Sequence, residues 1–324
     1  MRHVLVTGGA GFIGSHLVDA LLARGEQVTV LDDLSTGSAK NLTQANVHPQ
    51  FRFVSGNASQ PELLKELCRD AEEVYHLAAA VGVALVNAQP MDAIQRNIEP
   101  TRLLLETLAE LRQNGRAVKV FIASSSEVYG RNPLPVWNEE ADLVFGPTTK
   151  PRWSYGMSKA IDEFLALGWY KTIGLPVVIG RFFNVVGPRQ TGAYGMVLPR
   201  FVSAALAHEP LIVHGNGSQT RCFAHVNDVI SAVLGLMQTP AAEGQIFNIG
   251  SDEPISILAL AQLVIELTQS RSVIDFQDYA AVFDADFEDV AHRVPDLTRL
   301  QRTLAWQRTH SLNAIIDELA HIQH

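Results

Sequence analysis

Tyr155 and Lys159 stand four residues apart in Ser154-Tyr155-Gly156-Met157-Ser158-Lys159, a spacing that puts both on one face of a helix. An ammonium beside a phenol favours the phenolate, so Tyr155 reads as a base able to work near neutral pH. Upstream, Ser124-Ser125-Ser126-Glu127-Val128-Tyr129-Gly130 closes an apolar run that reads as a central strand. Ser125 at that strand end can hydrogen-bond the same hydroxyl that Tyr155 deprotonates. A Tyr-x-x-x-Lys pair alone recurs by chance in many chains. It carries weight here because a glycine motif, a strand-end serine and the pair follow one another in order.

The glycine motif is Thr7-Gly8-Gly9-Ala10-Gly11-Phe12-Ile13-Gly14, with Gly8, Gly11 and Gly14 three apart, between an apolar strand and a helical pattern. Such a segment needs a tight turn, then close approach of backbone N–H groups to a pyrophosphate, then close packing of helix on strand. Gly8, Gly11, Phe12, Ile13 and Gly14 are therefore candidate dinucleotide contacts. The second strand ends at Leu31-Asp32-Asp33, where a carboxylate can accept hydrogen bonds from an adenosine ribose. A carboxylate there repels a 2′-phosphate and no arginine adjoins it in sequence, which favours NAD over NADP. Asp32 could instead be a solvated turn residue, and Asp33 more so. His76-Leu77-Ala78-Ala79 ends a further strand, and Leu77, Ala78 and Ala79 either line the cofactor channel or simply pack a strand end.

These residues need a parallel sheet to hold them. Short apolar runs read as strands at His3–Thr7, Gln27–Leu31, Phe51–Ser55, Glu73–Leu77, Val118–Ala123 and Pro176–Gly180. Between them Ile13–Arg24, Pro61–Cys68 and Pro90–Gln113 carry apolar residues at three- and four-residue spacing, as helices covering a sheet do. After about residue 185 glycine and polar residues gather through Gly187–Gly195 and Gly215–Arg221, loops suited to binding. Helical patterns return at Leu198–Ala207, Val226–Met237 and Ile257–Thr268. The expected class is α/β: a Rossmann-type doubly wound parallel sheet over residues 1–180, then a smaller α/β substrate-binding lobe over 181–324. That boundary is soft, because the chain can cross between lobes more than once.

Composition narrows the setting. Of 324 residues 47% are hydrophobic and 18% charged, which excludes a disordered chain. A net charge of −9 without a basic cluster argues against nucleic-acid or anionic-membrane surfaces. Cys68 and Cys222 match no metal spacing and read as buried thiols in a reducing compartment, so no metal is expected. The start Met1-Arg2-His3 leads straight into a strand with no signal peptide, and no apolar run is long enough to span a bilayer. The cytoplasm is the expected location.

Taken together, the motifs resemble the extended short-chain dehydrogenase/reductase family, in its nucleotide-sugar epimerase, dehydratase and decarboxylase branch, over nearly the whole chain. The resemblance implies NAD as cofactor and a nucleotide-sugar substrate, UDP-linked in most of the branch. It makes Ser125 the catalytic serine, Tyr155 the base and Lys159 the ligand of the nicotinamide ribose. Asn97, in Arg96-Asn97-Ile98, matches a cofactor-side asparagine. Arg181-Phe182-Phe183-Asn184-Val185-Val186-Gly187-Pro188-Arg189 matches the segment that enters the sugar-nucleotide pocket, with Asn184 its contact. Arg221 matches an arginine that holds the diphosphate, for which a guanidinium fork is well suited. Arg189 either joins it or forms a surface salt bridge. Gly56-Asn57 departs from the family's usual Gly-Asp facing the adenine, so Asn57 should alter one hydrogen bond rather than abolish binding.

The resemblance implies a shared first step, removal of hydride from sugar C4 to give a 4-keto sugar, after which the branch divides. Ser126-Glu127 places a carboxylate where 4-epimerases carry a small or hydroxyl residue, and resembles the arrangement of UDP-glucuronate decarboxylases. Gly146-Pro147 with Lys150-Pro151-Arg152-Trp153-Ser154-Tyr155 resembles their approach to the tyrosine. Asp289-Val290-Ala291-His292-Arg293-Val294-Pro295-Asp296 resembles their late His-Arg-x-Pro segment, where Arg293 is an acid near C5 or a carboxylate clamp. Against this, Glu127 could merely pair with Arg152, and Ala80-Val81-Gly82-Val83 lacks the proline-rich loop of simple UDP-xylose synthases. Decarboxylation of UDP-glucuronate is the preferred reading, 4-epimerisation the alternative and 4,6-dehydration a third. The Tyr155 helix continues through Ile161, Phe164, Leu165, Leu167 and Trp169, more apolar surface than one sheet-covering face needs. With the Pro90–Gln113 helix it could form the four-helix homodimer interface usual in the family.

Overall fold

The computed structural model describes residues 1–79, 90–191, 196–278 and 290–323. Residues 80–83, residues 192–195 of the Gly187–Gly195 loop and Asp289, all singled out above, lie outside them. Seven parallel strands form the main sheet: β1 (His3–Thr7), β2 (Gln27–Asp32), β3 (Phe51–Ser55), β4 (Glu73–His76), β5 (Lys119–Ser125), β6 (Val177–Phe182) and β11 (Gln245–Ile249). Their order across the sheet is β11-β6-β5-β4-β1-β2-β3, so the direction of winding reverses between β1 and β4. In such sheets ligands bind beyond the strands' carboxyl ends at that reversal.

Successive residues of a strand face opposite sides, and both sides here are covered. Val4 and Val6 join one apolar core with helix α1 (Phe12–Ala23) and helix α6 (Val226–Gln238). Leu5 joins another, with α2 (Pro61–Cys68), α3 (Pro90–Gln113) and α4 (Ser154–Ile173). Burial on both faces explains why the strands read as short, nearly continuous apolar runs. Cys68 and Cys222 are buried free thiols, each pushed up to about 12 by burial.

Strands β5 and β6 run two residues further than their apolar runs predict. Ser124 and Ser125 keep pairing with Arg181 and Phe182, because their polar groups find partners inside. Ser124 donates to Glu163 at 2.5 Å, and Arg181 grips the same carboxylate through Nε at 2.9 Å and Nη2 at 2.7 Å. Arg181 therefore ties the sheet to α4, the helix that carries Tyr155.

Beyond β6 the chain builds smaller pieces: β7 (Val185–Val186) beside β10 (Ala224–His225), and β8 (Leu211–His214) beside β13 (Ile274–Gln277). A three-stranded sheet joins β12 (Ile255–Ser256), β9 (Thr220–Arg221) and β14 (His292–Arg293). Helices α5 (Val197–Leu206), α7 (Ile257–Leu267) and α9 (Leu312–Gln323) share a core with β8. β11 meanwhile returns to the main sheet beside β6, and α8 (Thr298–Leu304) packs near it. Among the described residues no helix is long and apolar enough to cross a membrane.

Candidate active site

The glycine turn sits at the reversal point. Gly8 has φ +73°, and a Cβ there would lie 2.6 Å from the Ala78 nitrogen, so only glycine lets the loop abut Leu77 and Ala78. At Gly14 a Cβ would stand 2.2 Å from the Gly8 carbonyl oxygen, which explains the third glycine of the motif. Gly11 stands at the N-cap of α1, and no side chain caps that helix end. Uncapped N–H groups at Phe12 and Ile13 suit an anion.

Asp32 is buried at the end of β2, where Oδ2 accepts from the Ala10 N–H at 2.9 Å and Oδ1 from the Leu34 N–H at 2.8 Å. Burial raises its pKa above the ordinary carboxylate value, although both backbone donors oppose the rise. It is thus no solvated turn residue but part of the loop's frame. Asn57 donates from Nδ2 to Asp33 Oδ2 at 2.9 Å, and its Oδ1 accepts from the Ser59 N–H at 2.8 Å. An aspartate at 57 would set two carboxylates face to face there, so the amide is what this pair accommodates. Sequence adjacency also missed Arg96, which the fold brings near enough to Asp33 to lower its pKa.

At the end of β5, Ser125 caps a short helical turn over Ser126–Tyr129 by accepting from the Glu127 N–H at 3.2 Å. The same serine hydrogen-bonds the Tyr155 phenol. Gly156 permits this closeness, since a Cβ there would lie 2.3 Å from the Glu127 carbonyl oxygen. Asn97 is fully buried and donates to Ser158 Oγ at 3.3 Å, which anchors α3 against the catalytic helix.

One expectation fails. Tyr155 is not held near neutrality by Lys159: burial first, then Glu127 and Asp162, raise the phenol above its ordinary value, and only the Ser125 hydrogen bond lowers it. The reason is that Lys159 Nζ is paired with the buried carboxylate of Asp162 at 3.1 Å. Asp162 was overlooked, yet it stands on the Tyr155–Lys159 stripe at three residues past the lysine.

Glu127 lies between two guanidiniums, Arg152 Nη1 at 3.0 Å from Oε2 and Arg293 Nη1 at 2.7 Å from Oε1. Burial alone would raise this carboxyl, but Arg293 and Arg152 outweigh it and hold the group down at about 2. Arg152 was read only as a partner for Glu127, and the structure makes it one wall of the site. Arg293 in β14 pairs in parallel register with Arg221 in β9, which sets the two arginines side by side. Arg221 is fixed through Nη1 by the Thr220 and Val290 carbonyls, each at 2.8 Å.

The remaining candidates are held elsewhere. Asn184 donates to the Cys222 carbonyl at 3.0 Å, and Arg189, at φ +68°, reaches back to Asp19 of α1 at 2.6 Å. Ser126 opens the turn that carries Glu127 and is buried there.

A sequence profile described as the NAD dependent epimerase/dehydratase family matches residues 4–250. The chain belongs to that family. It is 38% identical over 301 residues to UDP-N-acetyl-alpha-D-glucosaminuronate decarboxylase of Bacillus cytotoxicus, covering 93% of this chain and 91% of the relative. UDP-glucuronic acid decarboxylase 1 of Arabidopsis thaliana is 31% identical, with 95% of this chain aligned to 67% of that protein. Among solved structures, UDP-glucuronic acid 4-epimerase of Bacillus cereus, in complex with UDP-glucuronic acid and NAD, superposes with a TM-score of 0.86 at 27% identity and covers 99% of each chain.

This member of the epimerase/dehydratase family is an NAD-dependent enzyme of nucleotide sugars. The residues present fit the cofactor: a cradle that a Cβ at Gly8 or Gly14 would fill, an uncapped helix end and a buried carboxylate at β2.

Proposed function

We propose that the protein is a decarboxylase of a UDP-linked uronic acid, of the UDP-glucuronate type. The observation that carries this reading is the Glu127 carboxylate held between Arg152 and Arg293 beside Ser125 and Tyr155. Gly8, Gly11, Phe12, Ile13, Gly14 and Asp32 hold NAD, with Asn57, Leu77, Ala78, Ala79, Asn97 and Lys159 along it. Residues 1–180 form this half, and residues 181–324 mainly bind the nucleotide sugar through Asn184, Arg189 and Arg221. The enzyme works in the cytoplasm.

Bound NAD supplies a hydride acceptor for sugar C4. Tyr155 takes the C4 hydroxyl proton, with Ser125 sharing that oxygen, and the substrate becomes a 4-keto uronate. This is a β-keto acid. Its C5–C6 bond breaks, the electron pair moves into the C4 carbonyl as an enolate, CO2 departs, and a proton returns to C5. Arg152 and Arg293 hold the carboxylate end, while the Tyr155 and Ser125 hydroxyls receive the charge that develops on the C4 oxygen.

Glu127 decides direction. Held ionised by its arginines, it repels a substrate carboxylate on the same cations and loses that opponent once the charge has moved to the C4 oxygen. The repulsion is therefore larger in the ground state than in the transition state, which accelerates loss of CO2. A 4-epimerase keeps the C6 carboxylate throughout and gains nothing from such a neighbour.

The test is incubation of the purified enzyme with UDP-glucuronate, and separately with UDP-N-acetylglucosaminuronate, with and without added NAD, followed by mass spectrometry and proton NMR. Loss of CO2 to a UDP-pentose, its 2-acetamido counterpart or a 4-keto form is expected. An unchanged mass with inverted C4 would establish the epimerase instead.

The assembly is a homodimer through α3 and α4. Leu165, Leu167 and Trp169 pack into the protein's own core, but Met157, Ile161 and Phe164, at i, i+4 and i+7 of α4, are 38%, 43% and 72% exposed and form an outward apolar face. A second copy of the same helix pair would cover it as a four-helix bundle. Solution scattering at micromolar concentration should give a dimer, and Phe164→Glu a monomer; a wild-type monomer would rule the interface out.

A further inference from the structure

Tyr155, Lys159 and Asp162 occupy positions i, i+4 and i+7 of α4, one stripe on one face of the helix. The third member is a charged residue with no exposure at all. Its Oδ2 lies 3.1 Å from Lys159 Nζ, and the lysine is itself only 2% exposed. Buried charges of this kind persist only when paired, so each of the two requires the other.

The pair is enclosed by groups that cannot replace either charge. Thr101 of α3 stands near the Asp162 carboxyl, whose Oδ1 finds no hydrogen-bond partner among the described residues. Thr101 also meets His76 Nε2 at 3.1 Å, and His76 Nδ1 meets Thr7 Oγ1 at 2.7 Å. Burial, with Lys159 nearby, pushes His76 down to about 3, so this ring is neutral. Asn97 lies one turn before Thr101 and accepts its hydroxyl at 3.0 Å through the backbone carbonyl. Glu163, next on α4, is taken by Arg181. Glu127, the other carboxylate that faces Tyr155, is taken by Arg152 and Arg293. Asp162 is thus the carboxylate assigned to Lys159.

We propose that Asp162 is a positioning residue that fixes the Lys159 ammonium on the Tyr155 stripe and offsets its charge, setting the pH at which Tyr155 can release its proton. This rests on the reading of Tyr155 as the base for the C4 hydroxyl. A lysine without its counter-ion would favour the phenolate strongly, and the base would be ionised over a wider pH range. With Asp162 present the phenol keeps its proton until substrate and cofactor are assembled around it. The direction agrees with the electrostatics of the free site, where Asp162 adds to the rise that burial imposes on the phenol.

Asp162→Asn keeps the shape of the side chain and removes its charge. The pH profile of reduced-nicotinamide formation in a single turnover is expected to move its acid limb down by about one pH unit. In the purified protein, the phenolate absorbance that disappears in a Tyr155→Phe background is expected at lower pH in Asp162→Asn than in wild type. Asp162→Glu, which restores the charge, should bring the limb back toward the wild-type position. Asp162→Ser, smaller and uncharged, carries the same test if the amide is not accommodated.

A limb and an absorbance that stay in place, with only stability or a pH-independent rate lowered, would overturn the proposal and leave Asp162 a structural ion pair. Full activity in Tyr155→Phe would instead overturn the assignment of the base, and the two failures are told apart by that variant alone.

Discussion

Tyr155→Phe is expected to lower kcat by about 10³-fold while leaving the fold and NAD content unchanged, in line with the loss of one positioned proton acceptor. The phenol is partly buried, and its hydroxyl is shared with Ser125 at the end of β5. Phenylalanine fills the same space, so neither α4 nor the Ser126–Tyr129 turn has cause to move. The loss should fall on every step that passes through the C4 hydroxyl. It is measured by comparing product formation with reduced-nicotinamide formation, and both should fall together. Ser125→Ala should show a weaker form of the same defect, because Ser125 acts on the same oxygen. Product formation at the wild-type rate in Tyr155→Phe would remove Tyr155 from the chemistry.

Glu127→Ala should separate the two halves of the reaction. Hydride transfer to and from C4 is expected to persist, whereas release of CO2 should fall by about 10²-fold or more, the scale of losing one electrostatic element of an active site. Isotope exchange at C4 reads the first, and labelled CO2 reads the second. The variant carries a structural penalty, since it leaves Arg152 and Arg293 buried without their shared carboxylate. Removing one partner of such a pair costs roughly 3–5 kcal/mol. Glu127→Gln keeps the volume and isolates the charge.

The pH dependence of stability gives a second signature of the same group. Glu127 sits at about 2 in the folded protein against 4.5 for a free glutamate. A carboxyl with a depressed folded pKa stabilises the fold above its unfolded value, and that contribution is lost as pH falls from about 4.5 toward 2. Thermal unfolding of Glu127→Gln should therefore be less sensitive to acid than wild type over that window. Equal CO2 release in all three proteins would reduce Glu127 to a structural ion pair.

Much of the site was legible because its parts are local. Three glycines at fixed spacing between a strand and a helix, a serine at a strand end and a tyrosine four residues before a lysine are each complete within a few residues. Parallel strands buried on both faces read as apolar runs, which made β1 to β6 visible in sequence. β11 did not stand out, since Gln245 and Asn248 interrupt a run of only five residues. Its place at the sheet edge beside β6 depends on a chain return that no local pattern announces.

What the residue string by itself determined is the kind of chemistry: the types and spacings of Gly8, Gly11, Gly14, Ser125, Tyr155 and Lys159 demand a dinucleotide and a proton acceptor. Their charge states were decided by tertiary structure. Lys159 looked like the partner of Tyr155 until burial placed Asp162 on its ammonium, and Glu127 had only Arg152 as a foreseeable partner until the chain brought Arg293 to it from 166 residues away. Likewise Arg221 and Arg293 are distant in sequence and adjacent only because β9 and β14 pair in register. Proton affinity depends on burial and on which charges lie within a few ångströms, and neither is a local property of the chain.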